Sequence, residues 1–545
     1  MHTHSFSTTT SWWSYAALVA ALAAIFFSSV ADHGIDNHDA ETFFDNARIS
    51  QDFSYFFSPE RQQITGRPAA DLSKWLASLA LGDSAAGFHL LVIAAHALAA
   101  LLLARLVDVL YDNRFWAFTS GLLFLVNVTH FQAVHHISAL DYPLALCWGI
   151  AALLFFLRYN EEGQRSDLVL TYLFFALGAL THMAAAALGP LCLYWSWQRS
   201  GNLRHAVLRV APLGILLAAL VFYGLAITPK ATSTWAAIDH YEAAEVSLLS
   251  PLRVLAWFSG RLLSTAHWVP PLSVYKLQSW EMLFGTAVLL GLLGMAWWQQ
   301  RRAAVWVAWI VLTLLPFVFI PEKLVLEFLP EGPSRYLYLA SAGSSVLIAL
   351  GLNALAAHGP RWREILALVG LTALLLLSYT GIKRVEGFSH YTSGRHNIAA
   401  NRIEEGAYRL RLAIVEGDNT IPLQDTYLRR CMALLYLGRD PRAEVGEALE
   451  RFPGDYMLGA IAAVLGTEDP TTSTRSVEWI NNALRRSDAS GLGDIFRAHI
   501  ATIYLNLGKG YMRLSEGAAA RSALERALEM DPKNGEAQRL LKQIG

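Results

Sequence analysis

The chain has 545 residues, of which 54% are hydrophobic, 12% aromatic and only 16% charged, and its mean hydropathy is +0.34. Soluble domains carry about 25% charged residues, so this composition excludes a soluble globular protein, and its aromatic content excludes a disordered one. Forty-three basic residues against 44 acidic ones leave a net charge of -1, which gives no electrostatic footprint for a nucleic-acid partner. Three cysteines make no disulfide framework, and Cys147 and Cys192 sit in apolar runs as small core hydrophobes.

A hydrocarbon layer about 30 Å thick needs a run of roughly 20 apolar residues to cross it. Such runs fall near 12–31, 87–107, 115–129, 141–158, 167–181, 183–198, 205–227, 280–298, 303–320, 335–356 and 362–381, which predicts eleven spans. Those at 115–129 and 183–198 are short for a full crossing. The first lacks the basic flank and small-residue cleavage site of a removable signal. The loops after even-numbered spans each carry at least two arginines: Arg105 to Arg114, Arg158 to Arg165, Arg199 to Arg204, Arg301–Arg302 and Arg361 to Arg363. Placing these inside puts the N-terminus inside and everything after residue 381 outside. The segment 250–270 is interrupted by Arg253, Arg261 and His267 and ends at Pro270–Pro271. It is expected as a helix lying on the outer face. Three long segments then share that face: 32–86, 228–279 and 321–334.

The first of these loops is rich in acids, histidines and aromatics. Asp36 and Asp39 are three residues apart, so one helical turn would put both on the same face. A carboxylate placed there could take a proton from a hydroxyl nucleophile. A solvated loop after a span is the plain alternative, and two histidines beside two acids could also bind a divalent metal, although no tight ligand spacing stands out.

Beyond residue 381 charge density rises and short helical periods continue to the end. Residues 501–534 match the tetratricopeptide pattern, with Tyr504, Leu507, Gly508, Tyr511, Ala520, Leu524, Ala527 and Pro532 on its eight positions. Leu437–Gly438 followed by Pro453 reads as a shortened unit, and 475–487 as a lone second helix. Such arrays need about three repeats, so a short α-solenoid is expected over about 400–545, and by itself it is a scaffold that binds a peptide or partner. The predicted fold class is all-α: a polytopic helical membrane domain, 1–385, followed by this repeat domain, 386–545.

Several motifs, in order along the chain, resemble those of the transmembrane-and-tetratricopeptide-repeat O-mannosyltransferases and their bacterial relatives, within the GT-C class of lipid-phosphate-sugar glycosyltransferases. The stretch from His38-Asp39-Ala40-Glu41 to Arg48-Ile49 is similar to the family's first-loop motif, and Gly66-Arg67-Pro68 to its Tyr-Arg-Pro-Leu. Phe88-His89 and His96 are similar to the motif opening its second span. His130-Phe131-Gln132-Ala133-Val134 with Asp141 resembles its His-x-Glu-Ala-Val followed by Arg-x-Asp, and Ser334-Arg335-Tyr336-Leu337-Tyr338-Leu339 its Glu-Arg-x-Leu-Tyr-Leu. The chain departs from the pattern at His38, which replaces the first acid, and at Gln132 and Ala139, which replace Glu and Arg. Thr181-His182 stands where the family has Lys-Glu.

The resemblance implies transfer of a sugar from a polyprenyl-phosphate carrier to a hydroxyl on the outer face, with inversion. Such a reaction needs a base, a cation for the departing phosphate and an apolar groove for the lipid. Asp39 is the expected base, with Asp36 in reserve. Arg335 is the expected phosphate clamp, a fixed fork of donors at the outer end of a span, with snorkelling at a helix end as the plain alternative. His182 is expected to stand in for the family's lysine toward phosphate. Arg67, His130, Gln132 and Asp141 are expected to line the acceptor side; some of the histidines there, His135 and His136 included, could instead cap spans at the interface. Arginine and histidine suffice for a lipid monophosphate, so no cofactor or metal is expected. The expected partners are the lipid-linked sugar, the bilayer and an acceptor protein held by the repeats, in a bacterial inner membrane with the C-terminal domain periplasmic or, alternatively, in the endoplasmic reticulum. Two other readings compete: a non-catalytic membrane scaffold derived from such an enzyme, favoured by Gln132 and Thr181-His182, and a transporter, which the scarcity of ionisable residues within the spans disfavours.

Overall fold

The structure is a computed structural model. It describes residues 9–35, 39, 43–44, 48–49, 52–58, 60–61, 66–227, 249–268, 279–298, 302–318, 334–356, 361–417, 421–452, 458, 461 and 497–544. Among these residues all regular structure is helical, as the composition and periodicity require. The chain divides into two compact units, Met1–Glu386 and Gly387–Gly545.

The first unit contains α1 (Thr9–Phe27), α2 (Pro68–Leu81), α3 (Ala85–Tyr111), α4 (Arg114–Leu125), α5 (Asp141–Glu162), α6 (Arg165–Thr181), α7 (Gly189–Ser200), α8 (Leu203–Ile227), α9 (Ser250–Ser264), α10 (Ser279–Trp298), α11 (Ala304–Leu314) and α12 (Tyr338–Ala356), with the start of α13 (Arg361–Ala399). Among the described residues, six helical segments are long and apolar enough to cross a membrane: Trp12–Asp32, Ala85–Tyr111, Ser138–Glu162, Leu203–Tyr223, Ser334–Ala356 and Arg361–Ala399. Glu281–Trp297 and Ala304–Phe317 are apolar but shorter. The expected spans at 115–129 and 183–198 each centre on a helix of 12 residues, α4 and α7, about 18 Å long at 1.5 Å per residue. Their boundaries have local causes. Asn113 caps α4 through Trp116 N–H, and His182 breaks the backbone into an extended conformation before a 3-10 turn, Met183–Leu188. The helix expected to end near 381 runs on to Ala399.

The core of this unit is apolar and tightly packed by small residues. Gly121 lies against Ala100 of α3, where a Cβ would come within 2.7 Å of the carbonyl oxygen. Helix α9 packs on α10 in the same way: a Cβ on Gly260 would meet the Gly285 Cα at 2.8 Å, and Arg261 faces Glu281 at 3.5 Å. Buried tryptophans direct their indole N–H groups to fixed partners, Trp309 to the Leu339 carbonyl at 2.7 Å and Trp116 to that of Val346 at 3.0 Å, which fixes α11 and α4 against α12.

Helix α2 has its amphipathic pattern inverted. Asp71 and Lys74 are buried, while Leu76 and Leu79 are exposed. Its inner face is polar because it covers the charged groups described below.

In the second unit, after the last turns of α13, helices α14 (Ile403–Gly417), α15 (Leu423–Tyr436) and α16 (Arg442–Arg451) precede α17 (Arg497–Arg513), α18 (Gly517–Met530) and α19 (Gly535–Ile544). The expected repeat 501–534 falls on the α17–α18 pair, where a Cβ on Gly508 would lie 2.7 Å from Leu524 Cγ; the glycine allows that approach. Pro453 and the segment 475–487 lie outside the described residues.

Candidate active site

Five of the sequence-predicted residues, Arg67, Gln132, Asp141, His182 and Arg335, come together in the first unit, each at the end of an element. Arg67 directly precedes Pro68, which opens α2. Asp141 occupies the first turn of α5, where the helix dipole favours a carboxylate. His182 is the break between α6 and the following turn, Gln132 opens the one-turn helix Gln132–His135, and Arg335 lies in the turn Ser334–Leu337 that leads into α12.

Arg67 Nη1 donates to Asp141 Oδ2, and its guanidinium lies over the Tyr142 ring at 5.9 Å. Arg335 lies over its own neighbour Tyr336 in the same manner, at 5.5 Å. Between these two arginine–tyrosine stacks sits His182, with its ring 4.4 Å from Tyr142 and 5.8 Å from Phe317. Phe317 in turn stacks on Tyr336 at 4.7 Å. His182 is buried, and burial together with the nearby charges of Arg67 and Arg335 holds its pKa well below the ordinary histidine value. Its Nδ1 accepts the Ala184 N–H at 3.1 Å, so in the neutral ring the proton is on Nε2. That Nε2 is buried with no hydrogen-bond partner among the described residues, and so is Asp141 Oδ1.

Gln132 does structural work here. Its backbone N–H donates to Ser334 Oγ at 3.1 Å and its Oε1 accepts from the Arg335 N–H at 3.3 Å. The amide at this position therefore holds the arginine-bearing turn in register. A carbonyl oxygen serves that purpose as well as a carboxylate.

Asp39 is buried, 1% exposed, and its Oδ1 accepts the Ser138 N–H at 2.6 Å, three residues before Asp141. Asp36 and His38 lie outside the described residues. Lys74, also buried, donates to the Ser138 carbonyl at 2.9 Å. Burial lowers its pKa, against the opposing charges of Asp141 and Asp71. Asp71 itself holds Arg61 through two hydrogen bonds, 3.1 Å from Nε and 3.0 Å from Nη2. Sequence reasoning missed Lys74, Ser138, Tyr142, Phe317 and Tyr336. Lys74 alone left a signal: with Asp71 it puts two charges three residues apart, on one face of an otherwise apolar helix.

His130 has a different environment from Gln132 and Asp141. Its Nδ1 lies 2.6 Å from Ser341 Oγ, and its ring is 5.1 Å from His96 and 4.8 Å from Tyr338. His96 is bonded to the Tyr338 hydroxyl at 2.8 Å and to the Leu125 carbonyl at 2.9 Å. His135 packs on His33 at 5.3 Å. Among the described residues no group of three or more His, Cys, Asp or Glu is arranged to hold a metal ion.

A cavity of about 840 Å³ is lined by residues of α7, α8 and the two turns Met183–Leu188 and Leu315–Phe317. Its walls are apolar, and Met183 and Pro316, chain neighbours of His182 and Phe317, are among them. The lining includes Gly214, where an added Cβ would meet nothing within 4 Å.

No curated protein and no solved structure matches the chain. Residues 68–227, which carry Arg67's helix, Gln132, Asp141, His182 and most of the cavity wall, match the family model described as dolichyl-phosphate-mannose-protein mannosyltransferase. Over that segment, which is less than a third of the chain, the protein is similar to these mannosyltransferases.

Proposed function

We propose that the protein is an integral-membrane glycosyltransferase that moves a sugar from a polyprenyl-phosphate carrier to a hydroxyl acceptor on the outer face, with inversion. The observation that carries this reading is the gathering of two arginines around a neutral histidine donor whose chain neighbour Met183 lines an apolar cavity; the histidine and most of that cavity wall fall within the segment that matches the mannosyltransferase family. A lipid phosphate is an anion on a hydrocarbon chain, and this arrangement offers a partner to each part. The cavity takes the first isoprene units. Arg335 and the Nε2–H of His182 donate to the phosphate oxygens, while Arg67, tied to Asp141, adds positive charge without reaching away from its partner. Negative charge grows on the phosphate as the glycosidic bond breaks, so donors fixed in advance stabilise the transition state more than the bound carrier.

Asp39 is the base in this scheme, with Asp36 as its reserve. The Ser138 N–H orients one carboxylate oxygen of Asp39, as required of a group that must meet the acceptor hydroxyl on the side opposite the leaving phosphate. The retention of Asp39, Arg67, Asp141 and Arg335 in one neighbourhood favours this over the scaffold reading, which needs none of them. The C-terminal unit is proposed as the tetratricopeptide module that gathers the acceptor, and the arginine-bearing loops orient both on the outer side of the membrane. The test is incubation of the full chain in nanodiscs with a panel of polyprenyl-phosphate sugars. Donor consumption with release of polyprenyl phosphate supports the reading. A chain that neither binds nor consumes any of them is the scaffold.

A further inference from the structure

The buried charges around the site form acid–base pairs on the described residues, and one of them has no part in phosphate or acceptor chemistry as set out above. Lys74 is 6% exposed, an uncommon position for a lysine, and it approaches neither His182 nor the arginine–tyrosine stacks through any described hydrogen bond. Its Nζ goes to the carbonyl oxygen of Ser138 at 2.9 Å. The N–H of the same residue goes to Asp39 Oδ1 at 2.6 Å. A buried cation and a buried anion thus hold both backbone polar groups of one residue, and each is a charge-assisted bond, about twice as strong as a neutral one.

Ser138 opens the 3-10 turn Ser138–Leu140, and Asp141 follows at once. Helix α2 and the residue that precedes it therefore reach this turn at two points: Lys74 binds Ser138, the turn's first residue, and Arg67 binds Asp141, which follows the turn. The orientation of Asp39, the placement of Asp141 and the position of Arg67 all depend on where that single turn sits. The Arg61–Asp71 pair, buried at 1% exposure on both sides, fixes the same face of α2 independently of the turn.

We propose that Lys74 is the positioning residue of this site, gripping Ser138 together with Asp39 so that one turn sets the geometry of both Asp39 and the Asp141–Arg67 pair. Its consequence for catalysis rests on the transferase reading, whereas its geometry does not. Two measurements on the full chain in nanodiscs separate them. The first is amide hydrogen exchange over residues 132–146. Lys74→Met keeps the length of the stem and removes the charge, and is expected to speed exchange of the Ser138 amide at least tenfold with the unfolding temperature held; Lys74→Arg, which keeps a buried donor cation, restores protection. The second is affinity for undecaprenyl phosphate, expected to weaken about tenfold in Lys74→Met and to recover in Lys74→Arg.

Unchanged exchange at Ser138 in Lys74→Met overturns the proposal, as does an exchange increase spread evenly over the whole unit, which marks a merely stabilising residue. If Lys74→Met does not fold, Ser138→Pro reads the other half of the grip: it removes the N–H that Asp39 accepts, keeps the carbonyl for Lys74, and should weaken carrier affinity by a similar factor. Carrier affinity in Ser138→Pro equal to that of the unaltered chain then refutes the grip. If the unaltered chain binds no polyprenyl phosphate, the transferase reading fails while the exchange measurement still decides the role of Lys74.

Discussion

Replacing Arg335 with alanine separates a binding residue from a structural one, because the two roles predict losses in different quantities, carrier affinity and unfolding stability. Around the site Arg67 is paired with Asp141, Arg61 with Asp71, and Lys74 with Asp39 across Ser138. Arg335 forms no salt bridge among the described residues; its backbone N–H is held by Gln132 and its guanidinium rests on Tyr336. Truncating it strands no carboxylate, so the empty protein should lose only about 1 kcal/mol, the central cost of a point substitution. The lost bond to a lipid phosphate is charge-assisted, worth about 1.5–3 kcal/mol, which is roughly ten- to a hundredfold in affinity at 1.4 kcal/mol per decade. Titration of undecaprenyl phosphate into nanodiscs holding Arg335→Ala, beside thermal unfolding without ligand, reads both quantities. Arg335→Lys should recover only part of the affinity, because a point charge replaces a planar fork. An alanine variant that binds the carrier within twofold of the unaltered chain, or that melts much earlier without ligand, refutes the assignment.

Four further outcomes follow from the same geometry. Asp39→Asn should lower transfer by about 10²–10⁴-fold, the range for a general base, while carrier binding stays within a few-fold; full activity in this variant with loss in Asp36→Asn moves the base by three residues. Gly214→Leu places a side chain into open cavity space and should raise KM for a long-chain carrier about tenfold while leaving a short-chain soluble analogue unaffected; equal effects on both donors count against the cavity as the lipid site. His182 keeps its neutral form below the ordinary histidine pKa of about 6.5, so affinity for a sugar-bearing carrier, a phosphodiester that does not itself titrate in this range, should stay flat as pH falls from 8 through 6.5. Because the unfolded chain binds more protons at this position than the folded one in that lower range, stability contributed by His182 is present above pH 6.5 and declines as pH falls beneath it; a carrier affinity that drops with a midpoint near 6.5 would contradict the assignment. Asp71→Asn leaves Arg61 buried with half its partner removed and should destabilise the first unit by about 3–5 kcal/mol, read as an earlier unfolding transition.

Much of this architecture can be read from the sequence because a bilayer imposes a strong, periodic signal. Long apolar runs such as 87–107 and 335–356 have few alternatives to a helix, and both appear as α3 and α12. Short runs are harder, since a 12-residue apolar helix is compatible with a buried core element as much as with a crossing; α4 and α7 are of this kind. The site was legible where a residue type is chemically out of place. Asp141, His182 and Arg335 stand at the ends of apolar helical runs and Arg67 directly before α2; the resemblance to known motifs singled them out, and they converge. His130 follows the opposite logic: three histidines within a few residues suggest one cluster, but a one-turn helix and two 3-10 turns rotate successive side chains to different sides. His130 therefore meets Ser341 and His96, whereas Gln132, two residues on, meets Arg335. Ser138, and the partner of Lys74, were hidden for a related reason: Lys74 stands out beside Asp71 on an apolar helix, but a bond from a side chain to a distant backbone carbonyl leaves no spacing in the sequence.

The measurement that tests the central claim most directly is photocrosslinking with a polyprenyl-phosphate sugar carrying a diazirine on its first isoprene units, followed by peptide mapping and a transfer assay on the same sample. The account predicts labelling on α7 and α8 at the cavity wall, suppressed by Gly214→Leu and weakened in Arg335→Ala, together with released polyprenyl phosphate. Labelling confined to other faces of the first unit, or cavity labelling that is indifferent to Arg335 and His182 with no sugar released, would contradict it.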